Sequence, residues 1–354
     1  VSCGRTAAAC FGAGELIREI CLAEGNFDDV CSLQRNVQDL GCLANLTDCV
    51  DGCQPPPVLA THFNTAEAWT TNPYLGVHGI FFADVDGDGK ADAIVVNDDM
   101  VVVRRSTGTS FGPNEAWTTN PYFGSHGTFF ADVNGDGKAD AIAVNDDNVV
   151  VRLSTGTGFG PNQFWTTNPY FGSRGTFFAD VDGDGKADAI VVNDGTDGTV
   201  VVRRSTGTSF GPNEFWTTNP YFGSRGTFFA DVDGDGKADA IVVNDGTDGT
   251  VVVRRSTGTN FSLNESFTTN PFFGSIGTFF ADVDGDGLAD AIAVNSDNIV
   301  VRRSNGMSFG PNEFWTTDPY FGSVGTFFAD VDHDGRADAI AVNSSGVFVR
   351  RAIP

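Results

Sequence analysis

From about residue 60 onward the chain alternates short apolar runs with polar punctuation at a fixed spacing. GTFFADV (Gly175 to Val181), ADAIVVN (Ala187 to Asn193) and VVVRRSTG (Val200 to Gly207) each read as a strand, and a shorter extended stretch surrounds FWTTNPYFG (Phe215 to Gly223). Val, Ile, Phe, Thr and Trp fill these runs while Gly, Asn, Asp and Pro mark the joins, the pattern of β-structure. No window in this region has helical periodicity. The unit recurs with an acidic loop beginning at Asp84, Asp132, Asp180, Asp231, Asp282 and Asp330, in steps of 48 or 51 residues. The longer steps come from the insertion NDGTDGT at Asn193 and Asn244, where other copies read NDDN or NSDN.

Four short strands per repeat of this length predict the blades of a β-propeller. The ends of the chain predict how the ring closes. The last unit stops at VFVRRAIP (Val347 to Pro354) without the SFGPNEFW segment that follows elsewhere, and the missing piece stands at the front, from Ala60. Phe63 and Trp69 each lie 48 residues before Phe111 and Trp117. A first segment that completes the last blade leaves no open sheet edge at the seam. The expected fold is therefore all-β, a six-bladed propeller with a split closing blade, spanning residues 58–354.

The acidic loop carries the clearest chemistry. DVDGDGKAD at Asp84 to Asp92 places carboxylates at positions 1, 3, 5 and 9, and its glycines let them and the carbonyl at position 7 converge. Like charges ~4 Å apart repel by ~4 kcal/mol at an effective dielectric of 20, so a cation is expected among them. Hard oxygen ligands in this number predict Ca²⁺, about six ions in all. The candidate ligands are Asp84, Asp86, Asp88, Lys90 and Asp92 in the first loop, then Asp132, Asn134, Asp136, Lys138 and Asp140 in the second. The third and fourth supply Asp180, Asp182, Asp184, Lys186 and Asp188, and Asp231, Asp233, Asp235, Lys237 and Asp239. The last two supply Asp282, Asp284, Asp286, Leu288 and Asp290, and Asp330, Asp332, Asp334, Arg336 and Asp338, with the position-7 residues contributing carbonyls only. Asn134 gives the second loop one carboxylate fewer, so it is expected to be the weakest site.

Residues 1–53 have a different composition. All seven cysteines (Cys3, Cys10, Cys21, Cys31, Cys42, Cys49 and Cys53) lie there, and Leu16, Ile17, Ile20 and Cys21, then Val30, Leu33, Val37 and Leu40, repeat at helical spacing. A module this small buries little apolar surface, so disulfides are the expected staple, with one cysteine left free or joined to another chain. Zinc is the other reading of clustered cysteines, but no paired CxxC motif and no histidine occur in the segment. Gln54 and the three prolines at 55–57 then form a semi-rigid linker.

The net charge of −25 narrows the partners. The six loops hold 23 of the 46 acidic residues, and six Ca²⁺ would bring the charge to about −13. Nucleic acid and anionic membranes are poor partners for such a surface, and no apolar run is long enough to span a bilayer. Disulfides and calcium loops of modest affinity both suit an oxidising space with Ca²⁺ near ~10⁻³ M. A start at Val1 is what signal-peptide removal leaves, so the expected location is secreted or at the extracellular surface.

FADVDGDGKADAIVVN resembles the FG-GAP or VCBS repeat, found in integrin α-subunit propellers and in calcium-containing propeller lectins, including the Psathyrella lectin type. The Phe-Gly half of the signature is present at Phe123-Gly124, Phe171-Gly172, Phe222-Gly223, Phe273-Gly274 and Phe321-Gly322. The Gly-Ala-Pro half is replaced by VVN or AVN, which resembles the VCBS and lectin side more than integrins. The resemblance implies calcium in the loop between the first two strands of each blade and amino-sugar binding in pockets between blades.

No HExxH motif occurs and the four histidines are scattered, so a binding protein rather than an enzyme is expected. Candidate ligand contacts are Trp165, Asn168, Tyr170 and Arg174, and Trp216, Asn219, Tyr221 and Arg225. A flat indole beside Asn and Thr suits a pyranose face, yet large aromatics at one repeat position also serve as packing between blades. Likewise Arg or His at the variable position of FGSxGTFF either selects an acidic sugar or is surface drift. The expected function is multivalent binding of glycans or glycoproteins. The alternative is a structural extracellular protein that assembles with copies of itself through the cysteine module.

Overall fold

The computed structural model describes residues 59–194, 199–245 and 250–354. Leu59–Pro354 is a compact unit separate from the residues before it. The cysteine-rich helical module, its disulfide candidates and the proline linker lie outside the described residues.

Residues 59 onward form an all-β propeller of six four-stranded antiparallel sheets. In the third blade the strands are Gly175–Ala179, Asp188–Val192, Val200–Arg203 and Glu214–Phe215, running from the inner strand to the outer. Asp188–Val192 is fully buried, because a middle strand is covered by a neighbouring blade on each face. The outer strand is shorter than the FWTTNPYFG pattern suggests. It ends at Phe215, and the rest of that segment crosses as irregular chain to the next blade. An outer strand of only two to four residues presents little unpaired edge.

The ring closes as the chain ends predict. Glu67–Ala68 pairs with Gly346–Arg350 and completes the sheet that holds Gly325–Ala329 and Asp338–Asn343. Val347 N–H also donates to Thr70 Oγ1 at 2.8 Å. A second clasp pairs His62–Phe63 with Ala352–Ile353, the seam's version of the Ser–Phe bridge made in the other blades, as between Ser106 and Phe111.

The core is six inter-blade clusters rather than one centre. Each takes Val and Ile from one blade and Ala, in five of the six with Val, from the next, with an aromatic pair between them. Trp165 meets Phe210 edge-on at 5.0 Å and Trp216 meets Phe261 at 5.0 Å. Phe267 does the same to Phe309 at 5.4 Å, so the fifth copy keeps the contact with a smaller ring. Around the axis, the paired phenylalanines of each inner strand meet those of its neighbours at 5.1 Å in an unbroken circle.

Candidate functional site: acidic loops and inter-blade clefts

Each acidic loop joins the inner strand to the second strand, and its shape follows from its glycines. Gly183 and Gly185 adopt φ of 79° and 82°, a region that side chains disfavour. Asp180 at position 1 accepts the N–H groups of both glycines, at 2.7 and 2.8 Å. Asp188 at position 9 is fully buried and accepts from Ser205 N–H at 2.7 Å and Val181 N–H at 3.1 Å.

In five loops the carboxylates at positions 1, 3 and 9 converge, with oxygens within 4.8 Å of one another. These are Asp84, Asp86 and Asp92; Asp180, Asp182 and Asp188; Asp231, Asp233 and Asp239; Asp282, Asp284 and Asp290; and Asp330, Asp332 and Asp338. Burial, aided by the nearby acidic groups, pushes the position-9 carboxyl up to about 7 in Asp92 and Asp188 and to about 8 in Asp290 and Asp338. At such spacing two like charges repel by roughly 3–4 kcal/mol at an effective dielectric of 20. The donor set and its shortage of positive charge fit a hard divalent cation.

The position-5 carboxylates stand apart from these trios. Asp88, Asp184 and Asp235 each pair with the ammonium of their own loop, from Lys90, Lys186 and Lys237, at 2.6 Å. Asp136 pairs with Lys138 at 3.2 Å and Asp334 with Arg336 at 2.6 Å. Leu288 offers Asp286 no such partner. The position-7 residues expected to give carbonyls thus also carry cations that occupy a neighbouring acid.

The second loop differs in a way its own sequence does not reveal. In the third blade, Arg204 bridges Asp182 at position 3, at 3.6 Å, and Glu214, at 2.9 Å. The same triad recurs as Asp86, Arg105 and Glu115 and as Asp284, Arg303 and Glu313. In the second blade all three charges are absent together, replaced by Asn134, Leu153 and Gln163. The carboxylate missing there is one that an arginine balances elsewhere, so the loop has not simply become less acidic.

The loops are also tied to one another. The position-8 amide of each donates to the position-1 carbonyl of the preceding blade at 2.7 Å, from Ala139 to Asp84 and round to Ala91 and Asp330. Ser205, whose N–H binds Asp188, donates its hydroxyl to Val133 O of the blade before. At the seam, His333 Nδ1 lies 3.0 Å from Gly89 O.

These contacts separate two roles. Asp188→Ala strands two buried N–H groups and is expected to destabilise by about 2–6 kcal/mol, at roughly 1–3 kcal/mol per unsatisfied group. That cost should persist in chelator. Asp184→Ala, at an exposed position, should cost under about 1 kcal/mol in chelator and more when cation is present. Urea denaturation in both conditions checks this; equal costs for Asp184→Ala would exclude a cation role for position 5.

The aromatic and polar candidates fall in different places. Trp165, Tyr170, Trp216 and Tyr221 are buried between blades. The Tyr170 hydroxyl lies 2.8 and 2.9 Å from the carbonyls of Ala189 and Val201, and the Tyr221 hydroxyl 2.8 and 2.9 Å from those of Ala240 and Val252. These rings hold blades together, which is the packing half of the sequence reading. Arg174 and Arg225 sit apart from the indoles. Arg174 packs on Phe222 of the next blade and pairs with Asp194 at 3.3 Å; Arg225 packs on Phe273 and pairs with Asp245 at 3.5 Å. His78 and His126 stack likewise on Phe123 and Phe171 and contact Asp98 and Asp146. Where the variable residue becomes Ile276 or Val324, the acid becomes Ser296 or Ser344, so the two positions change together.

Asn168 does line a cleft. Its Oδ1 accepts from Arg203 Nη1 at 3.0 Å, while Arg203 Nε donates to Asn213 at 2.6 Å and the guanidinium lies over Tyr170 at 4.3 Å. Between the first two blades the same cleft holds about 620 Å³ and is lined by Trp117, Thr119, Asn120, Arg152, Pro161 and Asn162 among others. Arg152 there bonds Asn120 at 2.9 Å and Asn162 at 2.5 Å. The equivalent of Asn168 in the next repeat is Asn219, an exposed residue, and there Arg254 Nε donates to Asn264 at 2.6 Å. The first arginine of VVVRR, the same in all six repeats, is the cleft residue that the sequence reading missed.

The profile of the FG-GAP-like repeat matches residues 84–143, 132–191, 180–242, 231–293 and 282–341. No curated protein sequence matches the chain. Among solved structures, an Agrocybe aegerita lectin described as recognising non-reducing terminal N-acetylglucosamine is similar at 24% identity, over 80% of this chain and 75% of that one, with a TM-score of 0.52. TcdB2-TccC3 without its hypervariable C-terminal region is similar at 15% identity, over 83% of this chain and 15% of that one, with a TM-score of 0.50. The PQQ-bound aldose sugar dehydrogenase of Streptomyces coelicolor follows at 11% identity, over 83% and 98%, with a TM-score of 0.49. At these identities the likeness is one of fold, and the neighbours include both a lectin and an enzyme.

Proposed function

The chain belongs to the FG-GAP-like repeat family, and on that premise we propose that it is a secreted, calcium-braced propeller that binds glycans in the clefts between its blades. The observation that carries the reading is the repeated cleft itself. An arginine held by asparagines lies over an aromatic ring beside open polar surface, which supplies hydrogen-bond donors and acceptors for sugar hydroxyls. Several such clefts on one ring would give avidity from weak single sites. The N-acetylglucosamine recognised by the Agrocybe aegerita lectin makes terminal amino sugars the first class to test.

Calcium supports this reading from the acidic loops. The trio at positions 1, 3 and 9 would hold the ion, with the position-5 carboxylate as a further oxygen donor. Bound Ca²⁺ supplies charge neutralisation. The chain's own part is to fix the loops to each other, so that the clefts keep their width. The test is a glycan array probed in millimolar Ca²⁺ and again in EDTA. Binding to terminal amino sugars that weakens in EDTA is expected, and no signal above background in calcium would overturn the lectin reading.

A further inference from the structure

The six clefts are not alike at their outer wall. Phe164, Phe215 and Phe314 are 64, 69 and 62% exposed on the outer strands of the second, third and fifth blades. The equivalent residues of the first, fourth and sixth blades are Ala116, Ser266 and Ala68.

Strand register fixes where these rings stand. Phe164 lies opposite Val150, Phe215 opposite Val201 and Phe314 opposite Val300. Directly opposed residues share a face of the sheet, as do residues two apart along a strand. Phe164 is therefore on the same side as Arg152 and Asn162, and Phe215 on the same side as Arg203 and Asn213. Val150, Val201 and Val300 belong to the inter-blade clusters toward the preceding blade. Each phenylalanine thus stands at the rim of a cleft, two residues from the asparagine that binds its arginine.

We propose that Phe164, Phe215 and Phe314 are stacking platforms that make three of the six clefts the principal glycan sites. This rests on the glycan-binding reading above and adds which clefts carry it. A ring left open to water next to fixed polar groups matches a pyranose, which presents a C–H face and a rim of hydroxyls. Stacking buries the ring and the C–H face together, while Asn and Arg take the hydroxyls. The clefts walled by Ala116 and Ser266 offer the polar groups without the platform, and the one walled by Ala68 lacks the outer asparagine as well, Ala66 standing in its place. In the cleft before the sixth blade, Arg350 is further engaged by Asp318 at 2.5 Å.

The experiment uses the full chain in calcium, with the strongest glycan of the array immobilised and N-acetylglucosamine as soluble competitor. Phe164→Ala, Phe215→Ala and Phe314→Ala combined should lower retention at least tenfold, with the melting temperature nearly unchanged because the rings are exposed. Phe→Tyr at the same three sites should keep retention. Adding Ala116→Phe and Ser266→Phe to the triple alanine variant should restore part of it at new clefts. Wild-type retention by the folded triple alanine variant would overturn the platform proposal alone, and would leave these rings as covers for the outer strand edges. A wild-type chain that binds no array glycan would overturn the glycan reading, and the platforms with it.

Discussion

Removing divalent cations with EDTA is expected to lower the melting temperature by about 20–30 °C, or to abolish the cooperative transition. A cation present at a hundredfold excess over its dissociation constant adds about 2.7 kcal/mol per site. Six sites together reach on the order of 16 kcal/mol, comparable with the whole stability of an ordinary domain at roughly 5–15 kcal/mol. A chain of this size loses about 1–2 °C per kcal/mol, by extension of the trend to larger domains. The loss should be shared by all blades, because each loop donates its position-8 amide to the loop before it. Calorimetry in millimolar Ca²⁺, in EDTA, and after calcium is restored measures the effect. Superimposable traces would remove calcium from the account of this fold.

Deleting residues 59–70 is expected to prevent a closed ring from forming. The segment supplies the outer strand of the sixth blade, Trp69 between the sixth and first blades, and Phe63 against Trp315 between the fifth and sixth. Loss of a buried Phe or Trp side chain alone costs about 3–5 kcal/mol, and two are lost with the pairing that holds them. A circular permutant that starts at Gly76 and carries residues 59–75 behind Pro354 on a short glycine linker should recover the native state. The pairing of His62–Phe63 with Ala352–Ile353 already brings those ends together. Near-UV circular dichroism and hydrodynamic radius distinguish the outcomes. A compact, cooperatively unfolding deletion variant would show that five blades and an open edge suffice.

Much of this was legible in the sequence because a propeller repeats one local solution. Strand alternation, the spacing of the acidic loops and the exchanged outer segment are all properties of short stretches, so reading one unit read six. The loop's glycines and acids also specify its conformation locally, since Gly183 and Gly185 take up the positive φ and Asp180 binds their amides. The family resemblance drew on the same local motif.

What the sequence by itself determined is therefore the all-β propeller, the number of blades, the seam and the place of the acidic loops, whereas the separation of position 5 from the trio at positions 1, 3 and 9 came from the structure. Only the tertiary structure decided what faces what. Trp165 and Phe215 belong to the same kind of segment, yet the indole is buried beneath a neighbouring blade and the phenyl ring is open to water. Period-two alternation puts neighbours on opposite faces but cannot say which face meets another blade and where that blade ends. The charge triads posed the same difficulty. Asn134, Leu153 and Gln163 lie far enough apart in sequence to look like three unrelated substitutions, and become one event only when the equivalent Arg204 is seen to bridge Asp182 and Glu214. Partners across a sheet or a blade interface are set by strand pairing and packing distance, and those are fixed only when the whole ring has closed.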